Sequence, residues 1–106
     1  MKKEIRIWLD YQCYPIWIYD ENGKFIDNNI IEEMKDDKSI LTMLETLQDI
    51  FDGLFLDDGV EFKYIGFASV VDKKKFEEII NKVYVKLKDL LGEKYIVNNM
   101  VDVSKI

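Results

Sequence analysis

Apolar residues recur at helical spacing between residues 73 and 91, and a stable fold has to bury the stripe that they form. The stripe consists of Phe76, Ile79, Ile80, Val83, Tyr84, Leu87, Leu90 and Leu91. Asp72 suits the N-cap of this helix and Gly92 its C-terminal end. A second amphipathic helix is predicted over residues 38–55, with Asp37 as its N-cap. Two such helices can cover one face of a sheet.

The sheet is predicted from residues that alternate between apolar and polar. Asn22-Gly23, placed between two such stretches, is a strong signal for a β-hairpin. Strands are predicted over residues 3–9, 14–20, 24–27, 61–67 and 95–103. The expected fold is therefore α+β, in the order β-β-β-α-β-α-β. It has an antiparallel or mixed sheet of about five strands with two helices on one face.

The length and the cysteine content suit one intracellular domain. The chain has 106 residues, of which 48% are hydrophobic, and we expect a single domain over residues 1–106. The basic start is not followed by an apolar stretch of signal-peptide length, and no apolar run is long enough to span a bilayer. One cysteine, Cys13, permits no internal disulfide. A cytoplasmic location is expected.

The residue types needed for common catalytic sites are missing. The sequence has no histidine, so neither a Ser-His-Asp triad nor a Cys-His pair can form. One cysteine cannot build a zinc site. The pairs Asp36/Asp37 and Asp57/Asp58 leave a carboxylate hydrolase or a hard-cation site formally open, but turn and capping chemistry explains them well. We expect no enzymatic activity, no cofactor and no metal.

Negative charge is concentrated in the middle of the chain. Residues 21–62 carry three lysines against twelve carboxylates, a net charge of −9, whereas the whole chain carries −6. Such a segment repels a phosphate backbone and attracts a basic partner. A protein partner is therefore expected, without direct contact to nucleic acid or membrane. The alternative is that these carboxylates only keep the surface soluble.

Candidate contact residues follow from the pattern of aromatic and acidic side chains. Trp8, Trp17 and Tyr19 fall on the sheet face away from the helices, with Tyr64 as a further candidate. Tryptophan and tyrosine are common anchors at interfaces, although cross-strand aromatic pairs also stabilise a half-exposed sheet. The acidic candidates are Asp20, Glu21, Asp27, Glu32, Glu33, Asp36, Asp37, Glu45, Asp49, Asp52, Asp57, Asp58 and Glu61.

Three stretches resemble small bacterial immunity proteins of polymorphic-toxin and contact-dependent growth inhibition systems. They are residues 13–28 (CYPIWIYDENGKFIDN), 54–62 (LFLDDGVEF) and 63–67 (KYIGF). The resemblance implies an inhibitor in the cytosol that binds a toxin domain, often a nuclease, and blocks its active site or substrate cleft. It supplies no set of binding residues, so the candidates above rest on the surface pattern.

Two other functions remain open from the sequence. One is a small regulatory or scaffold domain that forms a homodimer through the aromatic sheet face. The other is a weak carboxylate-based hydrolase that uses Asp57 and Asp58.

Overall fold

The computed structural model describes residues 2–106, which form six strands and two long helices. Short 3-10 turns occur at Glu32–Met34 and Val103–Lys105. The main elements in chain order are β1 (Lys3–Ile7), β2 (Ile16–Tyr19), β3 (Phe25–Asp27), α1 (Lys38–Asp52), β4 (Phe55–Asp57), β5 (Phe62–Tyr64), α2 (Val70–Leu91) and β6 (Tyr95–Asn99).

Four of the strands form a mixed sheet in the order β3-β2-β1-β6. β1 runs antiparallel to β2 and parallel to β6, so the last strand completes the sheet beside the first. β2 and β3 are antiparallel, with an irregularity in the register between Ile18 and Tyr19. The predicted α+β class with a mixed sheet is confirmed.

Two of the four helix boundaries, the start of α1 and the end of α2, lie where the sequence predicts them, and the start of α2 and the end of α1 do not. Asp37 caps α1 as predicted, because its carboxylate accepts a 3.0 Å hydrogen bond from the Ile40 N–H. Gly92 ends α2 as predicted. Asp72 was wrongly predicted as the N-cap of α2. The hydroxyl of Ser69 accepts from the Asp72 N–H at 3.1 Å, so α2 begins at Val70.

A β-hairpin replaces the predicted end of the first helix. α1 ends at Asp52, and Phe55 lies in β4. β4 and β5 pair only with each other, so the predicted strand over residues 61–67 is a short strand outside the main sheet. The Asp58 carboxylate holds the turn, since it accepts from the N–H groups of Val60 and Glu61, and Gly59 supplies a φ of +84°.

One hydrophobic core lies between the main sheet and the two helices, which cover the same sheet face as predicted. Ile5, Ile7, Ile16 and Ile18 point from the sheet into this core. The helices contribute Ile40, Leu44, Leu47, Phe76, Ile80, Val83, Leu87 and Leu91. Each such side chain stabilises the fold by about 1.5–3 kcal/mol through removal from water.

Neither helix in residues 2–106 has the length and apolar character required to cross a membrane.

Candidate partner-binding surface

The sheet face opposite the helices carries the predicted aromatic residues Trp17 and Tyr19. Both are half-buried, since Arg6 lies opposite Trp17 and Glu4 lies opposite Tyr19 in the sheet register. The guanidinium carbon of Arg6 lies 3.9 Å from the centre of the Tyr19 ring. Phe25 adds ring contacts to Trp17 and Tyr19, each at 5.8 Å between ring centres. Aromatic rings therefore form part of this face and are not sealed in the core.

The polar groups of the same face mostly bind one another. Glu4 accepts hydrogen bonds from Arg6 at 3.0 Å and from the Asn98 amide at 2.7 Å. The bond from Arg6 is the main cause of a lowered pKa of Glu4, and the same bond raises the pKa of Arg6. The Trp17 indole donates to the Trp8 carbonyl at 3.0 Å. The cation and the carboxylate of this face, Arg6 and Glu4, thus already bind each other.

A second group of aromatic residues lies where α1 ends and the β4–β5 hairpin begins. Phe55 is at its centre, with the Phe62 ring stacked on it at 5.4 Å and an angle of 6°. Tyr11 contacts both of these rings edge-on, at 5.1 and 4.9 Å. Phe51 and Tyr64 contact Phe55, each at 5.4 Å. Ring contacts of this geometry stabilise by about 0.5–1.5 kcal/mol each beyond their burial.

A groove of about 420 Å³ opens beside this group, between the hairpin and the C-terminal residues. We call it the end groove. Its walls are mostly apolar, and its charged side chains are Asp102 and Lys105, whose charged atoms lie 4.0 Å apart. The lining residues are Trp8, Leu9, Phe51, Phe55, Tyr64, Met100, Val101, Asp102, Lys105 and Ile106.

Several carboxylates lie at the same end of the molecule. Asp52, in the last turn of α1, accepts a 2.8 Å hydrogen bond from the Gln12 N–H. Burial raises the pKa of the Cys13 thiol, and Asp10 and Asp52 lie close enough to it to add to the rise. Asp57 and Asp58 flank the hairpin turn and are exposed. These carboxylates lie on the elements next to the end groove, whereas its own lining carries one carboxylate, Asp102, and one ammonium, Lys105.

The other predicted acidic residues are spread over the molecule. Asp20 directly follows β2 and binds the N–H groups of Asn22 and Lys24, so it lies at the opposite end of the sheet. Glu33 interacts with Tyr95, at the start of β6. Asp27 ends β3, and burial raises the pKa of Tyr14 with a smaller contribution from Glu45. Glu21, Glu32, Asp36, Asp49 and Glu61 are exposed.

Three of the four carboxylates in the two pairs that left a hydrolase open have local structural roles, and the fourth, Asp36, is exposed. Asp37 caps α1, and Asp57 and Asp58 accept hydrogen bonds from N–H groups of their own turn. Those backbone bonds are the main cause of a lowered pKa of Asp58. Within residues 2–106, no group of three or more histidine, cysteine, aspartate or glutamate side chains is arranged to hold a metal ion.

Most of the aromatic group is absent from the predicted contact residues, because the helical stripe extends over residues 54 and 55 in the sequence. The pattern Phe55-Leu56-Asp57-Asp58-Gly59-Val60-Glu61-Phe62 carries the signal, since aromatic residues flank an Asp-Gly turn. Tyr11, in the loop between β1 and β2, carries no such signal. Its position depends on contacts with residues more than forty positions away.

The chain belongs to a known family. The model of the family described as Serratia CdiI immunity protein-like matches residues 3–102. No curated protein matches the chain.

Proposed function

We propose that this immunity protein neutralises a cognate toxin by binding it stoichiometrically and blocking its active site or substrate cleft. Membership of the CdiI immunity protein-like family is the observation on which the proposal rests. Inhibition by binding needs no catalytic group, which suits a chain without histidine. The proposed site of action is the cytoplasm.

The partner that suits this surface is a basic toxin domain, and a nuclease is the kind of toxin we propose. Nucleases bind phosphates and therefore commonly present basic surfaces. Within residues 2–106, only Glu32 and Glu61 of the acidic candidates have a lysine within 4.0 Å. The remaining acidic candidates are thus free of internal salt bridges and can attract a basic protein.

The proposed contact region is the acidic part of residues 20–61, with aromatic anchors beside it. Exposed carboxylates would guide the encounter, and rings removed from water would supply the affinity. The aromatic anchors are Trp8, Trp17 and Tyr19, and the acidic residues are Asp20, Glu21, Asp27, Glu32, Glu33, Asp36, Asp37, Glu45, Asp49, Asp52, Asp57, Asp58 and Glu61.

The test is to mix the purified chain with the toxin domain encoded immediately upstream. We expect a one-to-one complex in size-exclusion chromatography with light scattering. We also expect toxin activity, followed as cleavage of plasmid DNA or of transfer RNA, to fall to zero at one equivalent. A toxin that elutes alone and stays active at a tenfold excess of this chain would end the proposal.

The nuclease assignment has its own readout. If the complex forms but the free toxin cleaves neither DNA nor RNA, then binding of the toxin stands and the nuclease assignment fails. Toxicity of the same toxin to cells that lack this chain, and its loss when the chain is present, shows that the toxin is active.

A homodimer is the second candidate, because apolar side chains are exposed on the open sheet face. Phe25 on β3 and Ile96 on β6 are 54% and 50% exposed. Sedimentation equilibrium at several concentrations, with the variant Phe25→Ala as comparison, tests it. A concentration-dependent mass that the variant removes would favour the dimer, and a constant monomer mass would exclude it.

A further inference from the structure

We propose that the end groove is the centre of the toxin contact and that it receives a lysine or arginine side chain of the toxin. The inference rests on the proposed function and makes it specific, since it assigns one groove and one chemistry of occupant. It goes beyond the acidic segment and the three aromatic anchors, because most of the groove walls lie outside both.

The walls of the groove suit a long cationic side chain. Trp8, Phe51, Phe55 and Tyr64 line it, and aromatic faces attract ammonium and guanidinium groups. Lysine and arginine also carry apolar stems, which Leu9, Met100 and Ile106 can contact. A volume of about 420 Å³ accommodates such a side chain together with part of the backbone that carries it.

The Lys105 ammonium in the groove lining lies 4.0 Å from the Asp102 carboxylate, so the lining is balanced in charge and the preference for a cation comes from the end of α1. α1 ends beside the groove, so the negative end of the helix dipole lies there. Asp49 and Asp52 occupy the last turn of this helix, which contains no basic residue. Lysine or arginine is the usual choice in that turn, because a cation interacts favourably with the dipole. A toxin cation would supply the missing charge.

The open sheet face is less suited to the same occupant. Arg6 already covers the Tyr19 ring and already pairs with Glu4. In residues 2–106 the cations placed over aromatic rings are Arg6 on Tyr19 and Lys88 on Tyr84. Neither ring lines the end groove. Among the described residues, none therefore places a cation over an aromatic ring of the groove, although Lys105 is part of its lining.

Substituting one position of the groove with a positive and with a negative side chain tests whether the toxin side chain that it receives is a cation. Met100 lines the groove and is 48% exposed, and its backbone N–H stays bound to the Ile7 carbonyl whatever the side chain. In Met100→Lys, the new ammonium repels the toxin cation and competes with it. We expect the dissociation constant of the toxin complex to rise at least about tenfold at low salt. In Met100→Glu, we expect affinity equal to that of the wild type or tighter.

The matched control places the same charge on the other surface. Ile96 lies four residues earlier, has almost the same exposure and belongs to the open sheet face. Ile96→Lys should change the dissociation constant by less than about threefold, because the open sheet face, with Trp17 and Tyr19, would lie at the edge of the contact and not at its centre. Thermal unfolding of all three variants shows whether each is folded at the assay temperature.

Each outcome separates this inference from the function on which it rests. If the wild type does not bind the toxin, the proposed function fails. If the wild type binds and Met100→Lys binds equally well, the function stands and the groove is not the contact. Equal losses in Met100→Lys and Met100→Glu would mean that the groove is contacted but not by a cation. A large loss in Ile96→Lys alone would place the contact on the open sheet face.

Discussion

The Asp52 carboxylate accepts a 2.8 Å hydrogen bond from the backbone N–H of Gln12, a residue forty positions earlier in the chain. This bond fastens the loop between β1 and β2 to the last turn of α1. The neighbouring Tyr11 then reaches the rings of Phe55 and Phe62 in the hairpin. The loop, the helix end and the hairpin therefore form one connected unit beside the end groove.

Asp52→Ala and Asp52→Asn should have different effects on stability. Alanine leaves the Gln12 N–H without its acceptor, so we expect the free energy of unfolding to fall by about 1 kcal/mol in urea denaturation. Asparagine retains a side-chain oxygen and removes a negative charge from the helix end, so its cost should be smaller. Equal losses for both variants would show that the charge, and not the hydrogen bond, is what stabilises this corner.

Gln12 adopts a backbone conformation that favours glycine. Its φ is +57°, in the left-handed region, where a side chain costs roughly 1–2 kcal/mol. We expect Gln12→Gly to be more stable than Gln12→Ala by about 1 kcal/mol, because alanine keeps the strain and glycine removes it. Thermal or urea unfolding measures the difference. If alanine proves the more stable of the two, the left-handed conformation of the loop is wrong.

The two helices and the first hairpin could be predicted from the sequence, because patterns among neighbouring residues determine them. The apolar stripes gave both helices, and Asn22-Gly23 gave the first hairpin. The end of α1 was missed, because Phe55 continues the helical stripe and also suits a strand. Packing against Tyr11 and Phe62, and pairing of Phe55 with Tyr64 across the hairpin, favour the strand. These contacts are not visible in a window of neighbouring residues.

Tyr14 gives a pH dependence whose sign follows from its environment. Burial, together with the charge of Glu45, raises the pKa of Tyr14 to about 12. The folded protein therefore keeps a proton that the unfolded chain loses near pH 10. Stability from this group is complete below pH 10 and is lost as the pH rises from 10 towards 12. Tyr14→Phe should remove that contribution to the alkaline loss of stability.

Urea midpoints of the wild type and Tyr14→Phe, measured between pH 8 and 12, test this prediction. The two proteins should differ by a constant amount up to pH 10, and the wild type should lose more stability above it. Glu45→Gln is the control for the electrostatic part, and it should lower the pKa of Tyr14 in a spectroscopic titration. Parallel curves across the whole range would contradict the raised pKa.

The candidate surface was predictable in its chemistry but not in its location. The alternation of aromatic residues and the distribution of charge along the chain indicate aromatic and acidic contact residues. They include Trp8, Asp52, Asp57 and Asp58, which the fold brings to the hairpin end. The same patterns could not separate these from Asp20, which lies at the other end of the sheet. The difference depends on strand direction, since the antiparallel pairing of β1 with β2 places the residues that follow these two strands at opposite ends of the sheet.

Asp49 and Asp89 can show whether the toxin is attracted by charge beside the end groove or by the net charge of the whole protein. Both are exposed aspartates in the last turn of a helix, Asp49 in α1 and Asp89 in α2. α1 ends at the end groove. α2 instead begins near it, where Lys73 binds the Ile106 carbonyl, and its 22 residues extend about 33 Å away. Asp89 therefore lies farther from the groove than the Debye length at physiological salt. Asp49, in contrast, lies within about one helical turn of Phe51, which lines the groove.

Asp49→Asn and Asp89→Asn should stabilise the protein alike but differ in how they bind. Each variant removes a negative charge from the negative end of a helix, which should raise the free energy of unfolding by about 0.3–1 kcal/mol. Only Asp49→Asn should slow association with the toxin, in stopped-flow measurements at low salt, and the slowing should disappear near 1 M salt. Equal slowing by both variants would show that the net charge of −6 attracts the toxin as a whole, without local steering at the groove.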